Sequence, residues 1–315
     1  MIYTVTLNPT IDRTMRFPRL VIGALNRATS SRCDLSGKGV NVSVVLRRLG
    51  VESVVMGLAG GLAGRVLVEG LRAQGHRCDF VEVAGETRSN VTVIDEATGV
   101  TTKLNEPGPT VTEADLQALE ERLLGRLQPG DVCVFSGSLP PGAPEETYAR
   151  FITQVHRRGG LAVLDTSDQA LAAGCAARPE WIKPNQVEAE ALIGRPLAAE
   201  GALVQDLRAL LALGAQRVLL SLGSRGAAYA DGTTMWLAEP PPIVEVSAVG
   251  AGDALLAAAL WAWQRGLGAK EIVRWAVACG TAAALEDGTA MPSWERVQEM
   301  YGGVQVRPLN SGSGA

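Results

Sequence analysis

Short runs of valine, isoleucine and leucine alternate with longer amphipathic segments along almost the whole chain. The runs contain few polar residues, which is typical of strands buried on both faces of a parallel sheet. They predict strands at Tyr3–Leu7, Ser53–Leu58, Asp131–Phe135, Leu161–Leu164, Trp181–Lys183 and Arg217–Ser221. The segments between them predict helices at Val40–Leu49, Ala63–Gln74, Glu113–Leu127, Glu145–Arg158, Val187–Ile193, Leu203–Leu213, Ala251–Gln264 and Ala269–Leu285. This alternation indicates an α/β fold with a parallel central sheet and helices on both faces.

Two regions interrupt the alternation. Residues 11–34 have no helical period, and residues 89–105 have the pattern of a hairpin, with strands at Asn90–Ile94 and Val100–Leu104. Apolar and polar residues alternate in the first of these strands, as they do in a sheet that is covered on one face. We therefore expect both regions to form a small β-sheet projecting from one domain of residues 1–309. The Ser/Gly tail, residues 310–315, is expected to be disordered.

Composition limits the classes of function. Of the 315 residues, 47% are hydrophobic, which is enough for a sizeable core, and the net charge of −4 provides no basic surface for a nucleic acid. No apolar stretch approaches the roughly 20 residues that cross a bilayer, and no basic segment of the signal-peptide type precedes the first strand. We expect a soluble cytoplasmic protein with neither nucleic-acid nor membrane partners.

Cysteine and histidine suggest no metal or nucleophile chemistry. The 5 cysteines are scattered and form no Cys-x-x-Cys pair, as expected of reduced cytosolic thiols. The 2 histidines, His76 and His156, lack the spacing of a ligand set. The Gly-x-Ser-x-Gly signature of serine hydrolases is also absent from the sequence.

The strongest chemical motif is Ser247–Asp253, which is followed at once by a helix of small residues. Glycines at 250 and 252 allow backbone N–H groups to converge at the start of that helix, where an anion is favoured. Asp253 would then lie beside a bound phosphate, in a position to act as a base. An aspartate at a helix start also stabilises the first turn by capping, so the motif alone leaves both interpretations open.

Four further clusters lie where predicted strands meet loops: Asn8–Asp12, Ser36–Asn41, Lys183–Glu188 and Ser221–Gly226. Open α/β sheets bind their ligands at this edge. Turn formation and helix capping explain each cluster in isolation. However, lysine occurs only at 38, 103, 183 and 270 in a chain whose other basic residues are arginine. Lysines retained inside these clusters indicate positions that need a compact ammonium group.

Together the motifs resemble those of the PfkB, or ribokinase-like, carbohydrate kinases over residues 1–309. They occur in the family's order: Asn8-Pro-x-x-Asp12, Gly37-Lys-Gly-x-Asn41, Ser136-Gly-Ser-Leu-Pro-Pro-Gly142, Lys183-Pro-Asn-x-x-Glu188, Ser221-x-Gly-x-x-Gly226 and Val249-Gly-Ala-Gly-Asp253. The segments Thr6–Pro9, Thr87–Val91 and Ser138–Gly142 are most similar to the branch that acts on phosphosugars. Ser36 and Ala254 differ from the residues common in the family, but neither difference removes a group that the reaction requires.

The resemblance implies a ribokinase-like fold with a small β-sheet lid, and it implies a role for each matching residue. Asp253 would be the base for the acceptor hydroxyl, and an anion hole would be formed by the amides of Gly250, Ala251 and Gly252. The sugar hydroxyls would be held by Asp12, Gly37, Gly39 and Asn41. The phosphate already on the sugar would be faced by Lys38 and Arg88, together with Arg27 and Ser138. ATP would lie against Asn185, Ser221, Gly223 and Gly226, with Mg²⁺ placed by Asn185 and, through water, by Glu188.

These roles describe an ATP-dependent kinase that phosphorylates a primary hydroxyl of a ketohexose phosphate. Fructose 1-phosphate, giving fructose 1,6-bisphosphate, is the favoured acceptor, while tagatose 6-phosphate and fructose 6-phosphate remain open. An acceptor without phosphate is disfavoured, because Arg88 and Lys38 would be buried without an anion. The complete Gly250–Asp253 motif disfavours a non-catalytic sugar-phosphate-binding regulator. A Rossmann oxidoreductase lacks support because no glycine fingerprint follows the first strand. A lid of so few strands predicts a homodimer formed through the lid.

Overall fold

A ten-stranded sheet occupies the centre of the structure, a computed structural model that describes residues 1–197, 203–288 and 290–309. In chain order the strands of the protein are β1 (Ile2–Thr6), β2 (Thr10–Phe17), β3 (Ser30–Ser36), β4 (Ser53–Gly60), β5 (Arg77–Val83), β6 (Arg88–Asp95), β7 (Thr101–Leu104), β8 (Val132–Ser136), β9 (Leu161–Asp165), β10 (Trp181–Ile182), β11 (Arg217–Ser221), β12 (Ala227–Ala230), β13 (Met235–Glu239) and β14 (Gln305–Pro308). The central sheet has the order β14-β13-β12-β11-β10-β9-β8-β1-β4-β5. Its strands from β11 to β5 are parallel to one another, and β12, β13 and β14 pair antiparallel at one end.

Helices cover both faces of this sheet. They are α1 (Lys38–Arg48), α2 (Gly61–Ala73), α3 (Glu113–Arg126), α4 (Thr147–Arg157), α5 (Asp168–Ala176), α6 (Gln186–Ile193), α7 (Leu203–Ala212), α8 (Ala251–Gln264), α9 (Ala269–Ala284) and α10 (Trp294–Gly303). One core lies between the sheet and α3 to α7, and a second lies between the sheet and α1, α8, α9 and α10. The predicted mostly parallel α/β architecture is therefore confirmed, with helices on both faces.

The six predicted strands and eight predicted helices all occur, with ends that differ by up to two residues. The sequence analysis missed α5, α10, β5 and the antiparallel strands β12 to β14. Ala227–Ala230 is mostly alanine, which has little intrinsic preference for a strand. It becomes β12 because β11 and β13 pair with it on either side.

The two irregular regions form one small sheet, which we call the lid. Its strand order is β3-β2-β6-β7, in which β2 and β6 are parallel and the outer pairs are antiparallel. The lid extends from the edge of the main domain at which the parallel strands end, because β1 leads into β2 across Leu7–Pro9. Several apolar side chains of the lid are exposed, among them Ile22 at 88% and Leu25 at 78% in the loop between β2 and β3.

Two expectations concern segments beyond these sheets. None of the helices within the described residues is long and apolar enough to span a bilayer. The tail at 310–315 lies outside the described residues.

Candidate active site

A cavity of about 990 Å³ lies between the lid and the carboxyl ends of the parallel strands. Thirteen of the residues singled out in the sequence line it: Asp12, Gly37, Lys38, Asn41, Arg88, Asn185, Ser221, Gly223, Gly226, Gly250, Ala251, Gly252 and Asp253. These residues come from segments up to 241 positions apart in the chain, since 253 − 12 = 241. The fold therefore brings together, at one sheet edge, most of the residues that the motifs had identified separately.

Four of the predicted residues are not among those that line the cavity. Arg27 is exposed in the lid loop between β2 and β3, and Ser138 is exposed just after β8. Gly39 lies in α1 against β1, where an added Cβ would be 2.5 Å from Oγ1 of Thr6. Its position is thus explained by the close packing of helix on strand. Glu188 is partly buried in the first turn of α6.

The start of α8 forms the floor of the cavity. Gly250 precedes the helix with a φ of 79°, a left-handed conformation that glycine adopts without strain. The first N–H groups of a helix have no acceptor within it, so those of Gly252 and Asp253 are available to an anion. The amide of Ala251 donates to the carbonyl oxygen of Ala248 at 3.3 Å. The Asp253 side chain is buried and accepts a hydrogen bond from Asn41 Nδ2 at 2.7 Å.

A buried carboxylate that the sequence analysis missed joins two lysines beside this floor. Asp165, at the end of β9, is fully buried, and its Oδ1 lies 3.0 Å from Lys38 Nζ and 3.2 Å from Lys183 Nζ. Lys183 also lines the cavity, and its Nζ is 3.5 Å from the place where Gly252 would carry a Cβ. Both ammonium groups are therefore held next to the amides of α8, where together they favour an anion.

Burial and the neighbouring charges together set the protonation of Asp253. Burial raises the pKa of Asp253 to about 6, and the negative charge of Asp165 adds to the rise, while Lys38, Asn41 and Lys183 act in the opposite direction. Burial alone would lower the pKa of Lys38, but the carboxylates of Asp165, Asp253 and Glu188 outweigh it and raise that pKa. Burial also opposes ionisation of Asp165, yet the two lysines hold its pKa below the ordinary value. The site therefore contains a charged Lys38 and a carboxylate that titrates near pH 6.

The lid side of the cavity is basic. Arg88, at the start of β6, donates to the carbonyl oxygen of Asn8 at 3.0 Å, but its Nε is buried without a hydrogen-bond partner among the described residues. Burial lowers the pKa of Arg88, and the nearby Asp12 opposes this effect. Lys103 on β7 lines the same cavity and belongs to no motif that the sequence analysis identified. This buried guanidinium nitrogen is available to donate a hydrogen bond to an anion.

The opposite end of the cavity is bounded by the loops that follow β10 and β11. Asn185 and Glu188 form a capping box at the start of α6, in which the Asn185 amide donates to Glu188 Oε2 at 2.8 Å. Ser221 forms a β-bridge with Asn185, and Gly226 packs so closely on Ala238 that a Cβ would be 2.0 Å from its carbonyl oxygen. Small and apolar residues that sequence analysis had not singled out complete this end of the cavity: Pro240, Pro241, Pro242, Ile243, Val277, Gly280, Thr281 and Ala284.

A divalent cation fits this end only with help from water and phosphate. Within the described residues no group of three or more His, Cys, Asp or Glu side chains could hold a metal ion. Glu188 Oε1 lies 3.9 Å from Lys38 Nζ, and Asp165 Oδ2 is buried without a hydrogen-bond partner among the described residues. Mg²⁺ is usually bound by one or two carboxylates together with waters and substrate phosphates, so this sparse set of oxygens suits it.

Comparison with protein families and relatives gives a consistent result. The model of the family described as "pfkB family carbohydrate kinase" matches residues 5–296. The chain is 41% identical to 1-phosphofructokinase from Xanthomonas campestris over 259 residues, 81% of each chain. It is 36% identical to 1-phosphofructokinase from Rhodobacter capsulatus over 309 residues, 98% of each chain. It is 33% identical to ATP-dependent 6-phosphofructokinase isozyme 2 from Escherichia coli over 302 residues, 95% of this chain and 97% of that one.

Solved structures resemble the whole fold. Phosphofructokinase-2 from Escherichia coli in complex with substrates and products superposes with a TM-score of 0.91 at 33% identity, covering 96% of this chain and 98% of that one. The tetrameric inhibited form of the same enzyme gives a TM-score of 0.88 at 32% identity, with the same coverage.

Proposed function

The chain belongs to the pfkB family of carbohydrate kinases, and we propose that it transfers the γ-phosphoryl group of ATP to a primary hydroxyl of fructose 1-phosphate. The product is fructose 1,6-bisphosphate. The observation that carries this proposal is one cavity lined both by the buried carboxylate of Asp253 and by the incompletely paired guanidinium of Arg88. The carboxylate can accept a proton from a hydroxyl, and the guanidinium can bind a phosphate that the acceptor already carries.

Asp253 accepts the proton of the acceptor hydroxyl as that oxygen attacks the γ-phosphorus, and the bond from this phosphorus to the bridging β–γ oxygen breaks to release ADP. A pKa of about 6 makes this carboxylate a stronger base than an exposed aspartate, yet leaves it mostly ionised at neutral pH. The amides at the start of α8 hold the oxygens of the transferred group, and Lys183 adds a positive charge next to Gly252. Phosphoryl transfer relies chiefly on such positioning and charge stabilisation.

ATP fits the end of the cavity bounded by Ser221, Gly223 and Gly226, with the apolar residues 240–243 beside it. Mg²⁺, when bound, neutralises charge on the phosphates of the nucleotide. Glu188 and Asp165 are the carboxylates that would hold the ion, Glu188 through water. Lys38 and Lys183, both paired with Asp165, keep their ammonium groups in place for the phosphates.

The basic lid argues for an acceptor that carries a phosphate. Arg88 and Lys103 line the cavity from the lid, and the buried Nε of Arg88 has no hydrogen-bond partner among the described residues, which is costly unless an anion binds there. A ketohexose furanose has a CH₂–O group at each end, so one end can carry phosphate while the other meets Asp253. This near-symmetry explains why related kinases act on 1-phosphates or 6-phosphates. Fructose 6-phosphate is thus the second candidate, supported by the likeness to ATP-dependent 6-phosphofructokinase isozyme 2.

The test is a coupled kinase assay with ATP, Mg²⁺ and each of four acceptors: fructose 1-phosphate, fructose 6-phosphate, tagatose 6-phosphate and fructose. We expect the highest kcat/KM with fructose 1-phosphate and the lowest with fructose. A higher kcat/KM with either 6-phosphate would assign the enzyme to that acceptor. Binding of the phosphosugars without turnover of any would instead indicate a non-catalytic sugar-phosphate regulator.

The lid is also the surface through which a homodimer would form. Ile22 and Leu25 expose most of their side chains in its loop, and Val100 and Leu104 are each 57% exposed on or beside β7. Large apolar side chains left exposed on a small sheet and its loop are typical of a surface that is covered in an oligomer. Light scattering should give the mass of a dimer at micromolar concentration, with and without substrates. A monomer under both conditions would contradict the proposal.

A further inference from the structure

The lid contacts the main domain at a second place, through residues that do not line the cavity. Arg16 Nη2, on β2, donates to Asp287 Oδ1 at 2.5 Å in the loop that follows α9. Arg32 Nη1, on β3, donates to the carbonyl oxygen of Asp287 at 3.1 Å. The adjacent Gly288 lies under the same strands, since an added Cβ would be 3.5 Å from Thr14 Oγ1. An ion pair and a hydrogen bond therefore join the lid to the main domain.

This contact is connected to the acceptor site through a single strand. Successive side chains of a strand point to opposite faces, so Asp12, Thr14 and Arg16 share one face of β2. Asp12 lines the cavity at one end of this face, and Arg16 holds Asp287 at the other. Four residues of strand span roughly 13 Å, and the pairing of β2 with β3 and β6 keeps that span straight. Holding Arg16 in place therefore fixes the position of Asp12.

The loop on the other side of the contact borders the start of α8. Ser247 Oγ donates to the carbonyl oxygen of Gly288 at 3.3 Å. Met291 packs beside Gly250, where an added Cβ would be 2.9 Å from the methionine methyl group. The loop after α9 therefore contacts both the lid and the segment that leads into the amides at the start of α8.

We propose that Arg16 and Asp287 are positioning residues, whose ion pair latches the lid closed so that Asp12 meets the acceptor while the loop beside α8 is held in place. This inference rests on the proposed function, in which Asp12 binds the sugar. The latch acts on acceptor binding, and it leaves the nucleotide end of the cavity unchanged. Its side chains are 30% and 47% exposed, so solvent weakens the pair, and we expect its loss to cost roughly 2- to 5-fold in acceptor affinity.

Kinetics of a double-mutant cycle test the latch. Arg16→Ala and Asp287→Ala should each raise the KM for the acceptor 2- to 5-fold, with kcat and the KM for ATP within 1.5-fold of wild type. The double variant should be no worse than either single one, because both remove the same interaction. Arg16→Lys should recover part of the loss. Arg13→Ala, on the opposite and exposed face of β2, is the matched control and should behave as wild type.

Additive effects in the double variant, an equal rise in the KM for ATP, or unchanged acceptor KM in the single variants would each overturn the latch. Amide hydrogen exchange of the ligand-free protein tests it independently of the sugar. Exchange in Thr10–Phe17 should be faster in both single variants, while that in Val132–Ser136 stays the same. Unchanged lid exchange would refute the latch even in an active kinase. Altered lid exchange in a protein that phosphorylates none of the four acceptors would refute the proposed function and leave the latch standing.

Discussion

Replacement of Asp253 by asparagine separates two properties of the carboxylate at the start of α8. The carboxylate is the proposed base, and it is also a buried negative charge that is only 7% exposed. Asparagine has nearly the same shape, and its side-chain oxygen can still accept the hydrogen bond that Asn41 donates. The substitution therefore removes the charge and the proton acceptor while the surrounding packing stays in place.

The two properties predict opposite effects on activity and stability. Loss of a general base lowers kcat by roughly 10²–10⁴. The pKa of Asp253 in the folded protein is about 6, above the ordinary value, so the folded state loses stability as the pH rises through that value. Two pKa units correspond to about 3 kcal/mol, which is the most that the neutral amide can recover at pH 8. For a chain of this length, that would raise Tm by up to roughly 5 °C.

Two measurements on wild type and Asp253→Asn check this reasoning. The coupled assay at saturating substrates gives kcat, and thermal unfolding at pH 8 and at pH 4 gives the difference in stability. We expect the variant to be nearly inactive and more stable at pH 8, with the stability difference shrinking toward pH 4 as the wild-type carboxyl becomes protonated. A variant that keeps more than a third of wild-type kcat would refute the role as base. A lower Tm of the variant at pH 8 would refute the account of the buried charge.

Three further predictions follow from the site and the lid. The kcat/KM of wild type should fall as the pH drops below about 6, where Asp253 becomes protonated. Asp165→Asn should move this acidic fall in the pH–rate profile to lower pH, because it removes a negative charge that raises the pKa of Asp253. If the fall stays at the same pH in the variant, the effect of Asp165 on Asp253 is contradicted. Arg88→Ala should lower kcat/KM for fructose 1-phosphate by about 2–4 kcal/mol of transition-state binding but change that for fructose little, with Arg88→Lys intermediate. If steady-state kinetics show that Arg88→Ala keeps kcat/KM within threefold of wild type for every phosphosugar, the phosphate of the acceptor binds elsewhere. Ile22→Asp combined with Leu25→Asp should convert a dimer to a monomer in light scattering; an unchanged mass would exclude this loop from the interface.

The fold was predictable wherever the local pattern and the tertiary environment agree. Helix α8 begins and ends at the predicted residues, because it consists of good helix formers and is buried along most of its length. By contrast, β14 is four mostly exposed residues at the edge of the sheet, and only its pairing with β13 makes it a strand. Helix α5 starts at Asp168 with a φ of 56°, an irregular entry at which the side chain of the N-cap residue Ser167 makes no capping hydrogen bond.

The sequence predicted those residues of the candidate site that lie within short motifs of neighbouring residues. The motif around Asp253 pointed to its place at a helix start, and the rarity of lysine pointed to Lys38 and Lys183. Asp165 belongs to none of the motifs found in the sequence. It reaches the site because β9 lies between β8 and β10 in the sheet, so that the carboxyl end of β9 faces the cavity. A search for acidic residues at the ends of predicted parallel strands would have found it.

The arrangement of charges explains how two lysines can lie near a base without removing its basicity. Burial raises the pKa of Asp253, whereas Lys38 and Lys183 both lower it. Asp165 binds both lysines, so it offsets part of their field at Asp253 while the same contacts keep Lys38 charged for a phosphate. These opposing effects leave Asp253 with a pKa of about 6. A carboxylate with this pKa is a stronger base than an ordinary aspartate and is still largely ionised at neutral pH. One buried carboxylate at the end of β9 therefore tunes the base and positions the phosphate-binding lysines together, which is why substitution of Asp165 should alter the pH profile and ATP affinity at the same time.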